Sequence, residues 1–126
     1  MNWLILIAGV FAAFTTIGHF LVGSKSFLKP MLNADFDEVA KKVMHCVFHY
    51  VSTYLILSSL ALLIIGFGLK FDGGNLLLVR FIALNYAVFA VWQIIIALTS
   101  KIPNAMFKLF QWIFPVLIAV FAWLGA

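Results

Sequence analysis

Residues 43–69 read VMHCVFHYVSTYLILSSLALLIIGFGL, and this stretch decides the fold of the chain because it contains no Asp, Glu, Lys or Arg. An α-helix rises about 1.5 Å per residue, so about 20 apolar residues are needed to cross the hydrocarbon core of a bilayer. The stretch exceeds that length. Its apolar residues are continuous rather than alternating, which predicts a membrane-spanning helix and not a strand.

Three further stretches have the same apolar character. Of the 126 residues, 66% are hydrophobic and 10% are charged, whereas about a quarter of the residues in a soluble domain are charged. The lipid bilayer is therefore the expected surroundings of the chain. We expect an all-α fold, an integral membrane four-helix bundle that forms a single domain over residues 1–126. The second helix should be long, and the connections from helix two to three and from three to four short. The predicted spans are 3–22, 43–69, 76–99 and 106–124.

Positive charge is distributed unevenly among the connections. The first connection, residues 23–42, and the third together carry six lysines, and only Lys70 and Arg80 lie near the second. Cytoplasmic loops are enriched in Lys and Arg, so we expect connections one and three in the cytoplasm and both termini on the opposite side, in a bacterial inner membrane. The formal charge of +4 then reflects topology, and no nucleic-acid partner is expected. The six are Lys25, Lys29, Lys41, Lys42, Lys101 and Lys108.

The three histidines of the chain fall at similar depths in the predicted bilayer. His45 and His49 are four residues apart and therefore share one face of a helix. His19 and His49 each lie about seven residues, or roughly 10 Å, from the centres of their helices on the cytoplasmic side. An ionisable residue inside a membrane marks a candidate functional site. If helices one and two pack together, His19 faces the pair.

Neutral imidazole is the commonest metal ligand, so the cluster of His19, His45 and His49 predicts a site for a transition metal ion or for haem. Three protein nitrogens would leave an open coordination position for water or substrate. Other polar side chains at the same level are candidates to orient the imidazoles or to add a ligand. They are Thr15, Cys46, Gln93 and Gln111.

The same residues also have purely structural interpretations. A histidine near the membrane interface can hydrogen-bond across helices, and Cys46 can pack as a small apolar side chain. The HxxxH pattern lacks the glutamate of a zinc-protease motif. Lys25 and Lys29 are expected to mark the cytoplasmic boundary of helix one, and they are also candidates for binding an anionic headgroup or substrate.

Three functions remain open from the sequence. The first is a small membrane protein that binds a metal ion or haem at the histidine cluster. The second is a small dimeric transporter whose histidines handle substrate or protons. The third is an accessory subunit of a larger membrane complex, so the expected protein partner is a second copy or another membrane protein. No Ser-His-Asp set, carboxylate pair or phosphate loop is present, and we assign no enzymatic activity.

The length and four-helix layout resemble those of the small multidrug resistance transporters. That family relies on a membrane-embedded glutamate in its first helix, whereas the first helix here has no acidic residue and its nearest ionisable group is His19. Proton-coupled export by that mechanism is therefore not expected. The layout also resembles that of DoxX-like small membrane proteins, without a shared motif, and we assign the chain to neither family.

Overall fold

A computed structural model describes residues 1–69 and 74–126, and all regular structure in these two ranges is helical. The expectation of an all-α chain is thereby confirmed for them. Lys70, which the charge argument counted near the second connection, lies outside the described residues. The elements are α1 (Trp3–Gly18), a π-helical segment (His19–Leu28), α2 (Lys29–Asn33), α3 (Glu38–Gly66), α4 (Asn75–Thr99), α5 (Ala105–Lys108), a 3-10 turn (Phe110–Trp112) and α6 (Ile113–Gly125).

Three helical runs within the described ranges are long and apolar enough to cross a membrane, which supports a membrane localisation. They contain 31, 29 and 25 residues, each more than the roughly 20 that a bilayer core requires. The apolar helix near the C-terminal end, Phe110–Gly125, is shorter than these three. The three long runs are Trp3–Asn33, Glu38–Gly66 and Asn75–Thr99.

The first helical run extends well beyond the span of 3–22 expected from the sequence. Its backbone stays helical through Gly23 and changes to the wider π form between His19 and Leu28. Pro30 is compatible with this continuation because it lies in the first turn of α2, where the hydrogen-bonding pattern changes and a missing N–H costs little. The connection to α3 is therefore only residues 34–37, and not the long polar connection expected over 23–42.

The expected fourth span, 106–124, is interrupted. Leu109 has a non-helical backbone, with φ −105° and ψ 47°, and a 3-10 turn follows it before α6 begins. The indole N–H of Trp112 donates to the carbonyl of Met106 at 3.1 Å, which satisfies an acceptor at the end of α5. Pro115 falls in the first turn of α6, a position that tolerates proline. The C-terminal apolar stretch is therefore two helices joined by a tight turn.

The helices pack in the order α3, α1, α6, α4. Helix α1 is central and contacts α3 on one side and α6 on the other, and α6 also packs along α4. Helices α3 and α4 meet mainly through side chains. The hydroxyls of Ser58 and Tyr86 lie 2.8 Å apart, and the rings of Tyr54 and Tyr86 lie 5.7 Å apart. The largest fully buried side chains come from α3, α4 and α6, and Ala8 and Ala12 of α1 are also fully buried, which places the core among these four helices. The largest are Leu62, Val79, Tyr86 and Ile118.

Asn2 joins three parts of the chain at one end of the helix array. Its backbone N–H donates to the carbonyl of Gly66 at 2.8 Å, and its side-chain amide donates to the carbonyl of Gly125 at 2.7 Å. Both termini and the end of α3 therefore lie together. The six lysines of the first and third connections belong to the opposite end, where α2 meets α3 and where α4 ends.

Glycines allow the backbones of α1 and α3 to approach closely. A β-carbon added to Gly66 would lie 2.7 Å from Cα of Leu6, and one added to Gly9 would lie 2.9 Å from the backbone nitrogen of Leu63. Small residues at such contacts let helices gain van der Waals packing in lipid, where the hydrophobic effect does not drive association. The two glycines therefore fix how closely, and in which register, α1 and α3 pack.

The substitution Gly66→Ala is expected to lower the midpoint of thermal unfolding in detergent, because the added methyl group overlaps the backbone of Leu6. Overpacking of this kind costs about 1–3 kcal/mol. Gly18→Ala is the matched control, since nothing lies within 4 Å of its added β-carbon. It should leave the midpoint unchanged or raise it slightly, because Ala favours helix over Gly. Equal midpoints for Gly66→Ala and the unmodified chain would contradict the close packing.

Candidate functional site

Four aromatic rings form a row between the first helical run and α3. The His19 ring stacks on the Phe48 ring with a centroid distance of 4.1 Å and an interplanar angle of 20°. Phe48 contacts His49 edge to face at 5.6 Å, and the rings of His49 and His45 lie 5.0 Å apart. The three histidines thus lie in one row of rings, and Phe48 stands between His19 and the other two.

Hydrogen bonds hold His19 in place at the start of the π-helical segment. Its Nε2 lies 2.8 Å from Oγ of Ser52, a buried residue on α3. The Ser52 hydroxyl donates its proton to the carbonyl of Phe48 at 2.9 Å, so it accepts from the imidazole. His19 is therefore a donor through Nε2, which assigns the proton of the neutral ring to that nitrogen. In this arrangement Nε2 has no lone pair for a metal ion.

His45 and His49 form a pair on one face of α3. Their Nε2 atoms lie 3.2 Å apart, because residues four apart in a helix are neighbours on its surface. Two nitrogens bound to one tetrahedral ion at 2.0–2.1 Å would lie about 3.3 Å apart, which is close to the observed separation. The same distance also fits one N–H···N hydrogen bond in which the two rings share a proton. His45 is half-buried and His49 is exposed.

The side chains expected to support the histidines make no hydrogen bond to an imidazole among the described residues. The hydroxyl of Thr15 donates to the carbonyl of Phe11 at 2.8 Å, one turn earlier in its own helix. Within the part of the chain that the structure describes, neither Gln93 on α4 nor Gln111 in the 3-10 turn is hydrogen-bonded to an imidazole. Cys46 is exposed on α3, between the two histidines of the pair in sequence. Of this group, only Cys46 is adjacent to the pair.

Lys25 and Lys29 are exposed on the π-helical segment and on α2, and neither makes an ion pair among residues 1–69 and 74–126. Lys41 differs from them, because its Nζ lies 2.6 Å from Oε1 of Glu38 and over the ring of Phe36. A groove of about 340 Å³ separates this part of the first helical run from α3. Its lining is apolar apart from His19 and includes Phe27, Met31, Met44, Phe48 and Val51.

A second set of polar side chains, which the sequence did not single out, lies between α3 and α4. The hydroxyl of Tyr54 is buried without a hydrogen-bond partner among the described residues, while that of Tyr86 is paired with Ser58. Phe89 packs edge to face on both tyrosine rings. The tyrosines lie in apolar stretches, where an aromatic residue is equally compatible with lipid contact, so nothing in the sequence singles them out.

Within residues 1–69 and 74–126, no group of three or more His, Cys, Asp or Glu side chains is placed to hold one metal ion. The three-nitrogen set expected from the sequence is therefore not assembled in one chain, and the closest approach to it is the pair of His45 and His49. The position of Phe48 explains the separation of His19, because its ring fills the space between them.

No protein-family model matches this chain, and comparisons with curated proteins and with solved structures likewise give no match.

The substitution Ser52→Ala is expected to destabilise the chain by about 1 kcal/mol, because it removes the hydrogen bond between the His19 side chain and the Ser52 hydroxyl. Ser59→Ala is the matched control. Ser59 is also buried on α3, but its hydroxyl bonds only to the carbonyl of Ile56 in the same helix. Thermal unfolding in detergent should show the larger loss for Ser52→Ala, and a larger loss for Ser59→Ala would refute the role given to the His19 bond.

Proposed function

We propose that this chain is an integral membrane protein that binds a transition-metal ion through His45 and His49. The single observation that carries the proposal is the 3.2 Å separation of the two Nε2 atoms on one face of α3. Zinc, copper, nickel and iron all accept imidazole nitrogen. Cys46 is exposed on the same helix, but it is not placed to join the two histidines as a third ligand.

The membrane arrangement that we propose has four crossings. Three are the long apolar runs, and the fourth is the combined α5, 3-10 turn and α6, which packs against α1 and α4 rather than standing apart. The positive-inside rule places the end with six lysines in the cytoplasm and both termini on the other side. A bacterial inner membrane is the proposed location. The histidine row then lies toward the cytoplasmic face.

A metal ion suits this geometry better than haem does. Axial ligation of haem by two histidines needs imidazoles on opposite faces of the macrocycle. His45 and His49 lie on the same face of one helix, and the Nε2 of His19 is already bound to Ser52. Two adjacent nitrogens instead supply neighbouring positions on a single ion and leave its remaining positions open.

His19 is proposed as a positioning residue rather than as a ligand. It stacks on Phe48, and the edge of Phe48 contacts the ring of His49. The orientation of His49 thus depends on packing that begins at the bond between His19 and Ser52. Neighbours that orient a ligand commonly change metal affinity by about 10- to 100-fold, so the effect of His19 should be smaller than that of a ligand.

Titration of the detergent-purified protein with zinc, followed by isothermal calorimetry, tests the metal proposal. The unmodified chain is expected to show saturable binding. His49→Ala should weaken it by more than about 100-fold because a ligand is lost, whereas His19→Ala should weaken it by less than about 100-fold. Binding of the same strength in His49→Ala and the unmodified chain would overturn the proposal, and a larger loss for His19→Ala would reverse the roles of the two residues.

Proton handling is a second candidate function, favoured by the same short distance interpreted as an N–H···N hydrogen bond. A pair that shares one proton must break this bond to accept a second, which couples protonation to side-chain movement. In vesicles that contain the protein and a pH-sensitive dye, an imposed pH gradient should then decay faster than in empty vesicles. His49→Ala should abolish the difference, and equal decay with and without protein would rule this function out.

A further inference from the structure

We infer that a second copy of this chain completes the metal site, so that His45 and His49 of two protomers surround one ion. This inference rests on the metal-binding function proposed above and goes beyond it, because it names the partner and the source of the missing ligands. Three features support it: the incomplete ligand set, the exposed face of α3 and the symmetry that a membrane imposes.

The ligand set within one chain is half of what a four-coordinate ion requires. The pair supplies two nitrogens, and no third His, Cys, Asp or Glu is placed to join them within residues 1–69 and 74–126. Phe48 keeps His19 away. His49 and Cys46 are exposed, so the pair opens outward from the helix array and not into its interior. A second copy of the chain would supply the further protein ligands that the described residues of one chain do not provide.

The face of α3 that carries His49 has the spacing of a helix–helix contact. Its residues alternate in steps of four and three, the repeat with which two helices pack along a common seam. All of them are exposed, whereas the face of α3 that packs into the array is buried and includes Ser52, Leu55, Ser59 and Leu62. His45 flanks the exposed seam. The seam consists of Lys42, Cys46, His49, Thr53, Ile56 and Leu60.

The polar content of this seam argues against lipid as its only contact. Polar and ionisable side chains in a membrane generally face protein or a water-filled cavity, because exposure to hydrocarbon is costly. The seam is apolar at Ile56 and Leu60, toward the middle of α3, and polar at Cys46 and His49, nearer the lysine-rich end. An identical seam matches this distribution along its whole length, because apolar residues meet apolar residues and imidazoles meet imidazoles.

Two copies of the chain insert into the membrane in the same orientation. A given residue therefore lies at the same depth in the membrane in both copies. A two-fold axis along the membrane normal then brings His49 opposite the partner's His49 without any shift in register. His45 and His49 from each protomer supply four imidazole nitrogens at that level. Four nitrogen ligands satisfy an ion of the zinc type, which is commonly tetrahedral.

Native mass spectrometry of the full-length chain in mild detergent, titrated with zinc alone, tests the inference. We expect one zinc per two chains, and we expect the dimer to disperse when a chelator is added. His49→Ala should lose both zinc and the zinc-dependent dimer, whereas His19→Ala should retain the stoichiometry. One zinc per single chain would overturn the inference and leave the proposed function standing. No bound zinc at all would overturn both.

Cys46 provides an independent reporter of the same interface in lipid vesicles. A short thiol-specific bifunctional crosslinker should join two chains in the presence of zinc, because the seam places Cys46 near the partner's Cys46. The control is Cys46→Ser combined with Val91→Cys, which moves the only thiol to an exposed position on α4. Crosslinking of the control to the same extent as the unmodified chain would refute an α3 interface.

Discussion

The antiparallel contact between α1 and α3 is the constraint on which the rest of the structure depends. Backbone contact at Gly66 and Gly9 fixes the register of the two helices near the chain termini. The same register continues along the interface, since each step forward on α1 is matched by a step back on α3. It brings the hydroxyl of Thr16 to the carbonyl of Leu55 at 3.2 Å, and then His19 to Ser52. The position of the candidate site is thus set by glycines at the far end of the helices.

Much of the helical content follows directly from hydrophobicity, because apolar runs of this length have few other folds available. The arrangement around the histidines follows less directly. When a helix is apolar on nearly all sides, its periodicity does not indicate which face packs against a neighbouring helix. The position of Phe48 between His19 and His49 could therefore not be predicted from the sequence. The continuation of the first helix past Gly23 likewise has no signal in its periodicity, and it brings Gly23 to the Phe48 ring, where an added β-carbon would make an ordinary contact at 3.5 Å. The break at Leu109 is spanned by the hydrogen bond from Trp112 to Met106, which the apolar pattern does not indicate.

The histidines divide into two kinds of role once their partners are known. His19 is bound to a buried serine and packed against a phenyl ring, which makes it part of the internal contact between helices. His45 and His49 face away from that contact with their nitrogens directed at each other. One row of rings can therefore contain both a histidine that stabilises the helix packing, His19, and a pair that is available to a ligand, His45 and His49. This division explains why three histidines at one depth need not form one three-nitrogen site.

X-ray absorption spectroscopy of the zinc-loaded protein tests the central claim most directly, because it reports the atoms bound to the ion. We predict nitrogen scatterers at about 2.0–2.1 Å with the outer-shell pattern of imidazole rings, and loss of that pattern in His49→Ala. A shell of oxygen atoms alone would contradict it, as would an imidazole pattern that survives His49→Ala but disappears in His19→Ala.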